Sequence, residues 1–144
     1  MKINFPPVIL LVSVILQLIL LFTFPVSTDL NSLLGLIFLI AGIFLVFFSF
    51  RFMRKMETTF IPDGTPKKLI SSGPFKISRN PIYLGMLLIL FGIAFLMSSL
   101  SAVIIAIVFG LIINFTWIAH EEKKLKELFL EDWENYSAKV RRWI

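Results

Sequence analysis

The chain has 144 residues, of which 58% are hydrophobic and 16% charged, and its apolar residues form long uninterrupted runs. A soluble domain carries roughly a quarter charged residues, so this composition predicts one integral membrane domain spanning 1–144. The absence of cysteine and the single histidine argue against disulfides and against a metal site, and we attribute the net charge of +5 to membrane topology rather than to nucleic acid.

Four apolar runs predict four transmembrane helices, at 8–24, 32–50, 81–97 and 102–118. A cleaved signal peptide is the alternative for the first run, but no small-x-small cleavage site follows it. Gln17 in this run is more typical of a helix-packing residue. The fold class is therefore an all-α membrane protein. Periodic apolar residues among charges add a C-terminal amphipathic interfacial helix at 121–140.

The basic residues predict the orientation in the membrane. All fourteen Lys and Arg lie at position 2, between 51 and 79, or between 123 and 142, and the turns at 25–31 and 98–101 have none. Basic segments face the cytoplasm. We therefore expect both termini and the loop 51–80, with tight turns at 61–64 and 71–74, to be cytoplasmic.

Glycines one heptad apart indicate close helix packing. Gly35 and Gly42 share one helix face, as do Gly85 and Gly92. Each pair would let a neighbouring helix approach closely, although glycine is also simply common in membrane helices.

Two polar clusters are candidates for chemistry. Asn80 and Pro81 suit the N-cap and first position of the third helix. A helix start flanked by basic residues can bind an anion, and the basic residues here are Lys67, Lys68, Lys76 and Arg79. The second cluster is His120, Glu121 and Glu122, which follows the fourth span and emerges on the same side. Each cluster also has an alternative interpretation without chemistry. The first would be only a capped helix start, and the second only acidic residues in the first turn of a helix. Two further polar residues near the end of the fourth span, Asn114 and Thr116, require partners.

Both clusters carry a family resemblance. The pattern Gly73-x-Phe75-x-x-x-Arg79-Asn80-Pro81-x-Tyr83-x-Gly85 resembles the signature of the isoprenylcysteine carboxyl methyltransferase and phospholipid methyltransferase superfamily. The second part of that signature corresponds to Glu121-Glu122-x-x-Leu125, the aromatic run 129–136 and the basic end Val140-Arg141-Arg142. The resemblance covers about residues 66–144.

The resemblance implies transfer of a methyl group from S-adenosyl-L-methionine to a lipophilic acceptor at the cytoplasmic membrane surface. The acceptor would be an isoprenylcysteine-like carboxylate or a lipid amine, reached from the lipid bilayer. The catalytic residues it implies are Arg79, Glu121 and Glu122. The cofactor contacts it implies are Lys68, Leu69, Gly73, Phe75, Arg79, Asn80, Pro81, Tyr83, Glu121 and Glu122. The sequence does not indicate the oligomeric state.

Three departures from the family pattern bear on the chemistry. Asn80 replaces a histidine and cannot act as a base, and Leu130 replaces a glycine. Positions 117–119 lack the arginine that precedes the Glu pair in eukaryotic prenylcysteine enzymes. A carboxylate acceptor needs no base, whereas an amine must lose a proton, for which Glu121 or Glu122 is the candidate. The alternative functions are an NADPH-dependent membrane reductase of related architecture and a non-enzymatic lipid-binding bundle.

Overall fold

The computed structural model describes residues 6–56, 66 and 68–144. Its long helices are α1 Pro6–Thr23, α2 Ser32–Lys55, α3 Pro81–Leu96, α4 Leu100–Ile113 and α5 Ala119–Lys139. A short 3₁₀ helix, Gly73–Lys76, precedes α3, and a π-helical turn, Asn114–Ile118, joins α4 to α5. The predicted turn at 61–64 and the basic residues Lys2 and Lys67 lie outside the described residues.

The helices are those of a membrane protein. Among the described residues, three helical runs are long and apolar enough to cross a bilayer, namely Pro6–Thr23, Ser32–Lys55 and Leu100–Lys139. The 16 residues of α3 are also apolar, but they extend only about 24 Å, less than the hydrocarbon thickness of about 30 Å. The all-α class is therefore confirmed for the described residues, whereas a fourth crossing by α3 and an interfacial position for α5 stay predictions.

The structure corrects the predicted break between the fourth span and the C-terminal helix. The backbone is helical without interruption from Leu100 to the kink at Leu130, because no glycine or proline follows Gly110 to end the helix. The π turn inserts an extra residue per turn within this run. Helix α2 likewise continues to Lys55, beyond the predicted end at 50, since basic residues are good helix formers.

The predicted glycine faces form the contact between α2 and α3. A Cβ placed on Gly42 would lie 2.6 Å from the carbonyl oxygen of Gly85, and one on Gly35 would lie 2.8 Å from the backbone nitrogen of Leu96. Real side chains do not tolerate such distances, so the close backbone approach requires glycine. The packing prediction is confirmed.

Helix α1 is an integral part of the bundle. Gln17 is fully buried, and its Nε2 donates to the carbonyl oxygens of Leu90 in α3, at 3.0 Å, and of Ala102 in α4, at 2.9 Å. The side chain thus joins three helices through hydrogen bonds that have no competition from water.

The two turns without basic residues meet at one end of the bundle. The Thr28 amide donates to the Ser98 carbonyl at 2.9 Å, and the Leu100 amide donates to the Val26 carbonyl at 3.0 Å. Between α3 and α4 lies the apolar core, which includes Leu90, Phe109 and Ile113. The polar clusters therefore lie at the opposite end of α3 and α4.

Candidate functional site

Helix α3 begins at a proline, and the residue before it makes a tertiary contact. Pro81 occupies the first helical turn, as predicted. Asn80 occupies the predicted N-cap position, but its side chain makes no capping hydrogen bond. Its Nδ2 instead donates to the carbonyl oxygen of Arg142 at 3.2 Å, while its backbone N–H donates to Ser78 Oγ at 3.0 Å. The C-terminal segment thus engages the amide that would otherwise cap α3.

The carboxylate of Glu122 lies between two guanidinium groups. Arg142 donates to Oε2 from Nε at 3.1 Å and from Nη2 at 2.5 Å. On the other side, Arg79 Nε lies 3.1 Å from Oε1. The side chains of Glu122 and Arg79 are only 12% and 16% exposed. The buried negative charge is therefore balanced by two positive ones.

The contact between Arg79 and Glu122 is an ion pair without a hydrogen bond. Both Arg79 Nε and Glu122 Oε1 are buried, and neither has a hydrogen-bond partner among the residues that the structure describes. At a separation of 3.1 Å, this means that the N–H does not point at the oxygen. Buried polar groups are rarely left in this state. Arg79 Nε is thus a hydrogen-bond donor and Glu122 Oε1 an acceptor, side by side, and a bound polar group could form hydrogen bonds with both.

Several contacts fix the orientation of Arg79. Its guanidinium lies 5.6 Å from the centre of the Trp133 ring, within the range of a cation–π interaction. Its Nη1 donates to the Ser137 carbonyl at 3.4 Å, and its backbone N–H donates to the Arg141 carbonyl at 3.0 Å. The side chain is thus held by α5 and the backbone by the C-terminal segment.

Tyr136 connects α5 to the 3₁₀ helix before α3. Its hydroxyl donates to the carbonyl oxygen of Phe75 at 2.7 Å, and its ring contacts Trp133 edge to face at 5.9 Å. Burial raises the pKa of Tyr136 to about 12, with Arg79 opposing and Glu122 adding to the shift. The hydroxyl is therefore a neutral donor at physiological pH.

Glu121 contacts α3 directly. The Tyr83 hydroxyl donates to Glu121 Oε1 at 2.6 Å, which joins the first turn of α3 to the first turn of α5. The hairpin formed by α3 and α4 thus returns the Glu pair to the start of α3. The Tyr83 phenol thus binds Glu121, and two guanidinium groups bind its neighbour Glu122.

The other predicted residues lie at the edge of this cluster. Gly73 has a φ of 60°, and a Cβ there would lie 2.7 Å from the ring of Phe52, so both its conformation and its packing favour glycine. Lys68 and His120 are exposed and Leu69 is half-buried. Within the described part of the chain, these three side chains make no hydrogen bond or ion pair to the cluster.

Comparison with protein families places these clusters in a known group. The family model described as phospholipid methyltransferase matches residues 30–132, well over half of the chain. The chain belongs to the phospholipid methyltransferase family. The match includes the start of α3 and the Glu pair, and it confirms the resemblance to the superfamily. The chain is thus a member of a membrane methyltransferase family.

A second comparison finds a shorter bacterial relative of this methyltransferase family member. An uncharacterized protein of Haemophilus influenzae is 38% identical over 63 residues, which are 44% of this chain and 100% of that protein. No solved structure matches the chain significantly.

Leu130, which stands where the resembled signature has glycine, has an unusual backbone conformation. Leu130 has a φ of 41° and a ψ of −112° inside α5 and forms a kink there. This is a conformation that favours glycine and strains a residue with a Cβ. Glycine, the residue that the resembled signature has at this position, would adopt the same conformation without this strain.

Two polar contacts of this family member were not predicted from the sequence as parts of the site. Asn114 Oδ1 accepts hydrogen bonds from Arg142 Nη1 at 3.3 Å and from Trp143 Nε1 at 3.1 Å. The available signals were the basic end of the resemblance at 140–142 and the polar Asn114 near the end of an apolar run. Neither feature of the sequence indicates which residues would bind each other, and no feature of the sequence points to Trp143.

Proposed function

We propose that the protein transfers a methyl group from S-adenosyl-L-methionine to a lipophilic acceptor at the cytoplasmic membrane surface. The observation that carries the proposal is the buried donor and acceptor formed by Arg79 Nε and Glu122 Oε1, within a region matched by a methyltransferase family. An isoprenylcysteine-like carboxylate or a lipid amine is the proposed acceptor, and the phospholipid methyltransferase family favours the lipid.

The residues present fit the amino-acid end of this cofactor. A carboxylate oxygen accepts from an ammonium group, and a guanidinium N–H donates to a carboxylate. Glu122 and Arg79 would therefore hold the α-amino and α-carboxylate groups. Bound cofactor supplies a methyl group on a positively charged sulfonium. Further contacts proposed from the family resemblance are Lys68, Leu69, Gly73, Phe75, Asn80, Pro81, Tyr83 and Glu121.

We assign proton acceptance to Glu121. An amine acceptor must lose a proton so that its nitrogen lone pair can form the new bond to carbon. Glu122 already balances two arginines, and Glu121 lies next to it in the chain, where its Oε1 accepts from the Tyr83 hydroxyl. Asn80 cannot accept a proton. An acceptor carboxylate is already ionised at neutral pH, so with such a substrate Glu121 would only orient Tyr83.

The proposed membrane arrangement places this cluster at the cytoplasmic surface. We propose four crossings, with α5 at the interface and both termini cytoplasmic. The distribution of basic residues and the contact between the two turns without basic residues support it. No observation favours a nicotinamide-dependent reductase or a non-enzymatic bundle.

Titration calorimetry with S-adenosylhomocysteine tests the cofactor site. The intact protein in detergent should bind this product, and Glu122→Gln should weaken binding by roughly tenfold or more, the size of a lost charged hydrogen bond. Glu127→Gln, at an exposed position of α5, is the matched control and should bind like wild type. Absence of binding to the wild-type protein would sink the proposal.

A further inference from the structure

The chain ends in a segment that crosses the start of α3. Residues 141–143 are called the C-terminal strap. Its first carbonyl oxygen accepts from the Arg79 backbone N–H at 3.0 Å. Its second accepts from Ser78 Oγ at 3.1 Å and from Asn80 Nδ2 at 3.2 Å. Three successive residues before α3 are therefore bonded to two successive residues of the strap.

The side chains of the strap reach the opposite wall of the cluster. Arg142 bonds to Glu122 Oε2 and to Asn114 Oδ1, and Trp143 Nε1 bonds to the same Asn114 oxygen. The amide of Asn114, in the π turn, thus fixes both strap side chains. The strap joins the start of α3, the π turn and the first turn of α5.

We propose that the strap is a positioning element of the cofactor site and that Arg142 is its positioning residue. The inference rests on the proposed function. Arg142 holds Glu122 by Oε2, so that the carboxylate cannot turn to form a two-pronged pair with Arg79. Such a pair is the preferred geometry between a guanidinium and a carboxylate. The presence of Arg142 therefore leaves Glu122 Oε1 and Arg79 Nε available to a ligand.

This role is not contained in the family match. The matched residues are 30–132, and the strap begins nine residues after them. The resemblance describes positions 140–142 only as a basic end. The structure separates the two arginines there. Arg141 is exposed and, among the described residues, contacts the cluster through its carbonyl oxygen, whereas the Arg142 side chain lies in the cluster.

The difference between the two arginines provides a matched experiment. S-adenosylhomocysteine is titrated by calorimetry into full-length wild type, Arg142→Ala and Arg141→Ala, which remove the same charge from adjacent positions. Arg142→Ala should raise Kd roughly tenfold to hundredfold, the loss seen when groups that orient metal ligands are removed. Arg141→Ala should change Kd less than about twofold, as for a surface residue. Arg142→Lys keeps the positive charge but lacks the forked donor geometry of the guanidinium group, and its Kd should lie between those of the two alanine variants.

A second measurement needs no ligand. The proton on Arg79 Nε, observed by ¹⁵N NMR in micelles, should shift downfield and exchange more slowly in Arg142→Ala, because the freed carboxylate then forms an aligned hydrogen bond with it. Arg141→Ala should leave this resonance unchanged. If Arg142→Ala does not fold, as judged by its thermal unfolding, Arg142→Lys replaces it in both measurements.

The outcomes separate the two proposals. Equal Kd values for the two alanine variants would overturn the role of Arg142. Tighter binding by Arg142→Ala would also overturn it, since Arg142 would then compete with the ligand. If wild type binds no S-adenosylhomocysteine, the proposed function fails. The Arg79 resonance then decides alone whether Arg142 holds Glu122 away from Arg79.

Discussion

Replacing Leu130 by glycine should stabilise the protein. A non-glycine residue in a sparsely populated conformation costs about 1–3 kcal/mol, and Leu130 adopts one, with φ 41° and ψ −112°. Its side chain is 68% exposed, so removing it sacrifices little burial. The entropy of glycine in the unfolded chain offsets about 0.5–1 kcal/mol. The net gain should be about 1 kcal/mol, or about 3 °C in melting temperature, measured by thermal unfolding in detergent.

Two variants show whether the backbone is the cause. Leu128→Gly makes the same change two residues earlier, in helical backbone and at a residue that is 44% exposed. It should cost about 1 kcal/mol, as glycine does inside a helix. Leu130→Ala keeps the Cβ, and with it the strain, and should bring no gain. If Leu130→Gly melts as low as Leu128→Gly, the strain at position 130 does not exist.

Three further variants test the packing and the buried phenol by thermal unfolding. Gln17→Leu should cost about 1 kcal/mol by removing two interhelical hydrogen bonds; unchanged stability would show that α1 is only an anchor. Gly42→Ala should cost about 1–3 kcal/mol, because its Cβ would lie 2.6 Å from the Gly85 oxygen. Gly110→Ala should cost less, because its Cβ would meet only a flexible side chain at 3.3 Å. Equal losses of stability in the two variants would contradict this. Because the pKa of Tyr136 is raised from 10.0 to about 12, the folded state keeps that proton longer and loses stability as pH rises through this interval. The difference in stability between wild type and Tyr136→Phe should therefore shrink between pH 10 and about pH 12, and a constant difference would refute the shift.

The helices could be predicted from the sequence because they depend on local patterns. Apolar runs and the spacing of glycines depend only on neighbouring residues, and Gly42 and Gly85 lie against each other as this spacing indicates. The continuous helix from α4 into α5 was missed because the change from apolar to charged residues at Glu121 resembles a boundary. Backbone hydrogen bonds continue across such a change when no glycine or proline interrupts them.

The site could be predicted only in part, because its decisive contacts join distant segments. Asn80 is a good N-cap by its residue type, yet its side chain bonds to the carbonyl oxygen of Arg142, which is 62 residues away. Propensity describes the helix end alone and does not include a competing tertiary partner. In the same way, the basic end of the chain indicates a charged residue but not that Arg142 reaches Glu122.

Transfer of a labelled methyl group to lipid tests the central claim most directly. Proteoliposomes containing the wild-type protein are incubated with S-adenosylmethionine that carries a tritiated methyl group, and the radioactivity of the organic extract is measured. Wild type should label the lipid fraction, and Glu122→Gln should reduce the initial rate by roughly tenfold or more, whereas Glu127→Gln should not. Labelling that is equal in wild type and Glu122→Gln, or absent from both, would contradict a methyltransferase site built on Arg79 and Glu122.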